Sequence, residues 1–474
     1  MKRLYVSIAV KMESDWRIGD LAAITTTGSD SADDRSFNQV LRDPVGGNLY
    51  VPGSSIAGSL RAAARTFGDF FAEKLFGADF ESIEDSAKKT SASKDNKNDD
   101  AAAVPEPEFQ VSPWWVLGTT LTQSVPDRNG NDATSQTTSR IRNRIDRHRG
   151  AADNGALFNM ESVTGRAEGE PDLVVYLRRD CVDSEDAEQA KTDLHKVLQA
   201  WRPRLGGGAS VGMGRARVQY AKYRVLDVAD TDDLVELLKY AEDDSPCGRV
   251  AALLETVEKS NVEPTSTDAY VRAEMTVPFL AFSEELAKAG KPLRIHGSTW
   301  KGLLRSRVEY IGRSLGFEVC DGTEERETRC DVCDAFGSVD NQGLWIFQDS
   351  PVTEETDLPK RSRIAIDRFT GGARDGALFE QYYVRDAKLI LQIDRTSRQG
   401  EPADWVEKAL LWALRDLNDG LISVGPEGAS GYGMANIEQV ELRGEPIDLS
   451  KLDPMPVPST SPESSETQEG SSDD

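Results

Sequence analysis

The chain says the same thing twice, and this limits its fold more than any other feature. Three landmarks recur in one order. Gly53-Ser-Ser-Ile-Ala-Gly-Ser-Leu-Arg61 returns as Gly297-Ser-Thr-Trp-Lys-Gly-Leu-Leu-Arg305. Ile145-Asp-Arg-His-Arg-Gly-Ala-Ala-Asp-Asn-Gly-Ala-Leu-Phe158 returns as Ile366-Asp-Arg-Phe-Thr-Gly-Gly-Ala-Arg-Asp-Gly-Ala-Leu-Phe379. Gly208-Ala-Ser-Val-Gly-Met-Gly214 returns as Gly428-Ala-Ser-Gly-Tyr-Gly433, one residue shorter. Spacing is kept as well, with 62 positions from Asp146 to Gly208 and 61 from Asp367 to Gly428. Chance does not keep order and spacing over such lengths. The 474 residues therefore read as two homologous domains.

The first domain is placed at residues 1–225 and the second at 268–445. An acidic linker at 226–267, with room for helices, lies between them. A Ser/Lys/Asp-rich insert at about 82–107 and a Pro/Ser/Glu/Asp-rich tail at 446–474 hold too little apolar surface to order themselves and are expected to be disordered. Within each repeat an alternating strand opens (Arg3–Met12, Tyr270–Val277) and a helix follows (Ile56–Phe71, Lys301–Leu315). Later come a strand (Leu173–Leu177, Ala387–Ile393), a second helix (Ala187–Trp201, Ala403–Leu417) and a closing strand (Arg215–Tyr220, Met434–Glu441). This is the ferredoxin-like α+β order.

Charge sets the next constraint. Asp and Glu number 81 against 56 Lys and Arg, for a net charge of −25, which argues against binding nucleic acid over the whole surface. Local distribution has to decide. Arg140–Arg149 holds five arginines and one aspartate, and Arg361-Ser-Arg-Ile-Ala-Ile-Asp-Arg368 is its second copy. Guanidinium forks match phosphates, so these segments favour nucleic-acid phosphate contacts over a solvated face. The two Gly-Ser segments open helices whose free N–H groups attract anions, although a capped helix with a packing glycine is the plainer reading. The Gly-rich loops precede strands, the wrong context for a P-loop or dinucleotide fingerprint, but glycine does let backbone approach a ligand closely.

Five cysteines exclude a disulfide scaffold. Cys320, Cys330 and Cys333 cluster in the second repeat, in an insert of 16 residues relative to the first. A small insert without its own core suits a structural zinc, with His296 or an acidic neighbour as candidate fourth ligand and a reduced, metal-free thiol pair as the alternative. The other cysteines, Cys181 and Cys247, are isolated. No apolar run reaches transmembrane length and no signal peptide is seen, so no membrane partner and a cytoplasmic site are expected. The three histidines, His148, His195 and His296, give no nucleophilic triad.

Taken together, the segment Leu41–Arg61, the two Ile-Asp-Arg…Gly-Ala-Leu-Phe segments, Cys330-Asp-Val-Cys333 with Phe336-Gly337, and both Gly-rich loops resemble the RAMP superfamily. The likeness is to backbone subunits of type III CRISPR effector complexes, two of them fused in tandem. It implies two ferredoxin-like (RRM-like) RAMP domains, the second with a zinc-binding insert. It implies a guide CRISPR RNA gripped by helix start and Gly-rich loop, and a hairpin near Ile145–Val163 and Ile366–Val384 that splays bases. The RNA contacts expected in the first repeat are Gly53, Ser54, Ser55, Arg61, Arg142, Arg144, Arg147, Gly208, Ser210 and Arg215. Those in the second are Ser298, Lys301, Arg305, Arg363, Arg368 and Ser430. Other type III effector subunits and a complementary target RNA are the implied partners.

The family cuts its target with an acidic residue in the loop before the Arg42-Asp43-Pro44 segment. Here Phe37 stands at the aligned position and Asp33 and Asp34 lie just upstream. These two are the candidate catalytic residues, with Mg²⁺ as the expected ion. The second repeat has the different loop Phe282-Ser-Glu-Glu285 and is expected to bind without cutting. The competing reading is a stand-alone guide-processing endoribonuclease of the same superfamily using His148. A zinc-stabilised scaffold that binds only proteins is the third.

Overall fold

The computed structural model describes residues 1–19, 37–38, 40–42, 49, 51–77, 111–121, 137–142, 158–165, 169–239, 246–264, 269–283, 287, 293–320, 330–338, 341–353, 358–396 and 400–456. Asp33, Asp34, Arg144, Arg147 and the 82–107 insert lie outside the described residues.

The first half runs β1 (Lys2–Met12), α1 (Gly53–Ala64), α2 (Asp69–Phe76), β2 (Trp114–Leu121), β3 (Thr137–Arg142), β4 (Phe158–Val163), β5 (Leu173–Cys181), α3 (Ser184–Ala200) and β6 (Ala216–Asp227). Next are α4 (Thr231–Lys239) and α5 (Pro246–Leu253), inside the expected linker. The second half runs β7 (Val271–Phe282), α6 (Gly297–Ser314), α7 (Asp331–Phe336), β8 (Trp345–Phe347), β9 (Lys360–Ile366), β10 (Ala373–Arg395), α8 (Asp404–Asn418) and β11 (Asn436–Leu442).

Alternation along β1 explains the first core. Leu4, Val6, Ile8 and Val10 point to one side and are fully buried. Against them pack Ile56 and Leu60 of α1 and Leu194, Val197 and Leu198 of α3, all in one cluster. Each such side chain contributes about 2 kcal/mol on burial. Asp183 starts α3 by accepting from Asp186 N at 2.9 Å. The second core repeats the scheme with Val271, Ala273, Met275 and Val277 of β7 under Trp300, Leu304 and Val308 of α6 and Leu410, Leu414 and Leu417 of α8.

Strand order is the same in both halves. It is β2–β5–β1–β6 in the first and β8–β10–β7–β11 in the second, with neighbours antiparallel. Numbered within each core, that is second, third, first, fourth, the ferredoxin-like arrangement. The duplicated sequence therefore folds as a duplicated α+β core.

The two sheets differ on the side away from their helices. In the first half α5 closes it, with Val250, Leu253 and Leu254 packed on Tyr5, Tyr176 and Leu226. Lys222 Nζ donates to Leu254 O at 2.8 Å and Arg224 Nη1 to Leu253 O at 2.8 Å, so two cations sit at the negative end of α5. In the second half that side carries Arg272, Glu274, Thr276, Gln392 and Asp394.

Each core also sends out a hairpin, and the registers agree. Arg142 faces Phe158 across β3 and β4, and Arg363 faces Phe379 across β9 and β10. Phe37–Asn38 adds a short parallel strand beside β4, pairing with Asn159 and Met160. At the far end the packed chain passes the boundary expected at 445. Ile447 N donates to Val440 O at 2.8 Å and Trp412 Nε1 to Asp453 O at 3.1 Å, which draws the segment after β11 onto α8.

Candidate RNA interface and thiol cluster

The Gly-rich loops match more closely than their sequences do. Gly206, Gly208, Gly212 and Gly214 all have positive φ, at 86°, 83°, 81° and 72°. In the second loop the positive-φ residues are Gly425, Glu427, Gly431 and Gly433, at 81°, 67°, 84° and 75°. The spacing is identical, so the loops have equal length. The one-residue gap read from the sequence is thereby corrected: matching Gly-Ala-Ser by letter shifts that stretch out of register. In each loop the last glycine closes the turn, with Leu205 N donating to Gly214 O and Val424 N to Gly433 O, both at 2.9 Å.

The first loop does more than turn. It seats against the start of α6, where a Cβ on Gly297 would lie 2.0 Å from Phe347 O and 2.7 Å from Val211 O. Only glycine fits there. Lys301 Nζ donates to Ser210 Oγ at 3.0 Å, and Arg204 pairs with Asp394 at 2.6 Å across the same junction. Burial, then the nearby charge of Arg305, pulls the Lys301 ammonium down to about 8. Ser210 and Lys301, expected as RNA contacts, thus bond one half to the other.

The anion site expected at the start of α6 holds a carboxylate of the protein itself. Asp349 Oδ1 accepts from Gly297 N at 2.8 Å, and Oδ2 lies 3.3 Å from His296 Nδ1 and 3.5 Å from Arg294 Nη1. Burial alone would raise the Asp349 carboxyl, but His296, Gly297 N and Arg294 hold it below the usual range. Ser298 is half-buried on the first turn beside it.

The arginine repeated at the same offset clamps a turn. Arg61 Nη2 donates to Gly77 O and Arg305 Nη1 to Gly337 O, the glycine of a Phe-Gly pair each time. Arg305 also bonds Glu309 at 2.8 Å, a carboxylate that is almost fully buried. Both were expected to meet RNA. In the structure their guanidinium groups are spent inside the fold.

The start of α1 is different. Ser54 and Ser55 are exposed and no side chain caps the helix. They line a cleft of about 920 Å³ between the halves, together with Arg202, Arg204, Arg215, Arg217 and Arg395. Among the described lining residues the carboxylates are Glu13 and Asp394; Arg204 pairs with Asp394 and Arg395 with Glu401, which leaves Arg202, Arg215 and Arg217 beside Glu13 in a chain of net charge −25. Of these arginines the sequence pointed only to Arg215. Arg202, Arg204 and Arg217 stand close to it in the chain, just after α3 and at the start of β6, outside any repeated motif, while Arg395 comes from the end of β10.

The second hairpin presents its own surface. Phe369 at the tip is 99% exposed, and Ile364, Ile366, Leu378 and Phe379 are exposed along the strands. Asp367 builds the tip by accepting from Phe369 N and Thr370 N, both at 2.9 Å. Arg368 is exposed beside it. Arg363 reaches back to the Gly-rich loop, pairing with Glu427 and donating to Ser430 Oγ at 3.3 Å.

The RAMP superfamily model matches residues 10–217 and 277–436, one match for each half. The chain belongs to the RAMP superfamily. Membership supports a CRISPR-associated, RNA-binding role, and the two matched regions agree with a tandem RAMP fusion. No curated protein matches the chain. No helix among the described residues is long and apolar enough to cross a membrane.

In the second RAMP domain the three thiols converge. Cys320 Sγ lies 3.2 Å from Cys333 Sγ and 3.4 Å from Cys330 Sγ, and all three are buried. Arg305 Nη2 donates to Cys333 Sγ at 3.3 Å. The hydrogen bond from Cys333 draws the Cys330 thiol down to about 4 and raises Cys333 in turn. Three sulfurs grouped this way can hold a metal ion, and they suit a soft one in tetrahedral geometry. His296 does not join them. Its Nδ1 faces Asp349 at the start of α6, and no fourth ligand from the described residues completes the group.

If the cluster is a zinc site, purified protein carries about one zinc, and Cys330→Ser removes it and lowers the second domain's stability by about 3 kcal/mol or more. Metal analysis with calorimetry decides. Metal-free protein of unchanged melting temperature would make the thiols a packed core only.

Proposed function

We propose that this RAMP protein is a guide-RNA-binding backbone subunit of a type III CRISPR interference complex, with each domain holding a stretch of guide. The observation that carries this reading is the arginine-lined cleft beside the open start of α1, in a strongly acidic chain of this superfamily. Such a site holds backbone phosphates, while base pairing between guide and target reads sequence. The exposed apolar hairpin with Phe369 at its tip supports a role in wedging between bases.

Cleavage of the target is assigned to the first domain. One carboxylate of Asp33 or Asp34 would hold Mg²⁺, which supplies charge neutralisation at the phosphate. The RNA 2′-hydroxyl attacks the adjacent phosphorus and the 5′-oxygen leaves, giving a 2′,3′-cyclic phosphate and a 5′-hydroxyl. Phe37–Asn38 lies against β4, which ties the downstream end of this loop to the first hairpin.

Expressed with its genomic neighbours and a CRISPR array, the protein co-purifies with small RNA of defined length, read on a denaturing gel and by sequencing. Protein recovered free of nucleic acid from that expression counts against the reading. Asp33→Ala with Asp34→Ala leaves guide binding intact and abolishes Mg²⁺-dependent cutting of complementary RNA. Unchanged cutting removes both residues from the mechanism.

A further inference from the structure

The two Gly-rich loops differ at one backbone position that matters chemically. Gly208 sits at φ 83°, ψ 16°, and its counterpart Glu427 at φ 67°, ψ 25°. A residue with a Cβ is sterically disfavoured in that region, so the second loop holds Glu427 there against its own preference. Its carboxylate is what the loop gains. It pairs with Arg363 Nη1 from the hairpin and accepts from Ser430 Oγ at 3.1 Å. Arg363 also reaches Ser430 Oγ at 3.3 Å and lies over the Tyr432 ring, 5.2 Å from its centroid.

A guanidinium and a hydroxyl converging on a left-handed turn are the groups that hold a phosphate. A carboxylate offers them the same charge sign and the same acceptor atoms. Two of the second domain's expected RNA contacts, Arg363 and Ser430, are bonded to this one side chain.

We propose that Glu427 is an internal phosphate mimic: its carboxylate occupies the place of an RNA phosphodiester on Arg363 and Ser430. The second domain then engages RNA at its Gly-rich loop only by displacing its own side chain. The first loop has Gly208 at that position and Val211 where the second has Ser430, so it holds neither the carboxylate nor the hydroxyl. This inference rests on the RNA-binding reading above.

The test uses the full chain and a fluorescein-labelled oligouridylate, followed by anisotropy over a range of salt. Glu427→Gln removes the charge and keeps the volume, and Glu427→Gly restores the residue of the first loop. Both tighten binding about fivefold near 0.1 M salt. Both also steepen the dependence of log K on log salt by about 0.7, the increment of one further phosphate on a single strand. Adding Arg363→Gln cancels the gain. Glu445→Gln, which removes an exposed acid elsewhere in the same domain, leaves the slope at its wild-type value.

Unchanged affinity and slope in both Glu427 variants, with wild-type protein binding the probe, overturn the proposal. So does an equal gain from Glu445→Gln, because the effect is then general charge. Failure of every variant and of the wild type to bind would instead bring down the RNA-binding reading, and this inference with it.

Discussion

Replacing Gly433 by alanine is expected to open the second Gly-rich loop, whereas the same change at Gly431 costs only about 1 kcal/mol. The two glycines have nearly the same backbone, at φ 75° and 84°, so the penalty for a Cβ at positive φ is common to both. Their surroundings differ. A Cβ on Gly431 meets nothing within 4 Å, while one on Gly433 lies 2.0 Å from Val424 O and 2.9 Å from Val424 C. These are backbone atoms of the chain that Gly433 itself pairs with, so no flexible side chain can give way. Relief means separating the strands of the turn. That forfeits the bond from Val424 N to Gly433 O at 2.9 Å and the bond from Gly433 N to Phe279 O at 2.8 Å. The cost comes to about 4 kcal/mol or more. For a domain of this size it lowers the melting temperature by about 8 °C or more, against about 3 °C for Gly431→Ala. Calorimetry on the two variants separates them, and equal shifts would show that the loop is shaped by φ alone.

Sequence and structure agree best where the signal is local or repeated. The alternation of Leu4, Val6, Ile8 and Val10 marks a strand with one buried side, and the matched landmarks mark a second copy of its fold. Agreement fails where partners are distant or where backbone geometry outranks residue identity. Asp349 caps α6 at Gly297, 52 positions earlier, and nothing in either segment alone announces it. Lys301 and Ser210, 91 positions apart, look like two RNA contacts and turn out to bond to each other. The second Gly-rich loop is a sharper case. Its Gly428-Ala-Ser430 matches Gly208-Ala-Ser210 by letter, yet positive φ aligns Gly208 with Glu427, because the turn demands a conformation rather than a residue. The spacing of the flanking glycines, eight positions from Gly206 to Gly214 and eight from Gly425 to Gly433, was the legible clue. Scarcity is a poor guide to ligation at His296: one of three histidines and close in sequence to the cysteines, it gives its ring to the Asp349 cap.

Arg215→Gln with Arg217→Gln is expected to weaken RNA binding about 30-fold. Arg215 opens the approach to β6 and Arg217 follows on it, and both line the cleft beside Ser54 and Ser55. Their side chains remain 37% and 51% exposed, and both lie near Glu13, at 3.2 Å and 3.7 Å. Both guanidinium groups share the Glu13 carboxylate at the edge of the cleft. Pairs this exposed are worth well under 1 kcal/mol each, so their loss barely touches the fold. A phosphate contact from each arginine, discounted for solvent to about 1 kcal/mol, accounts for the 30-fold change. The salt dependence carries the sharper information. Removing two phosphate contacts from a single strand lowers the slope of log K against log salt by about 1.4. A protein that merely lost its fold would lose affinity at every salt concentration together with its melting transition. An unchanged slope, with the melting temperature intact, would mean that RNA does not enter between the two domains, and the guide would have to be sought along the hairpins instead.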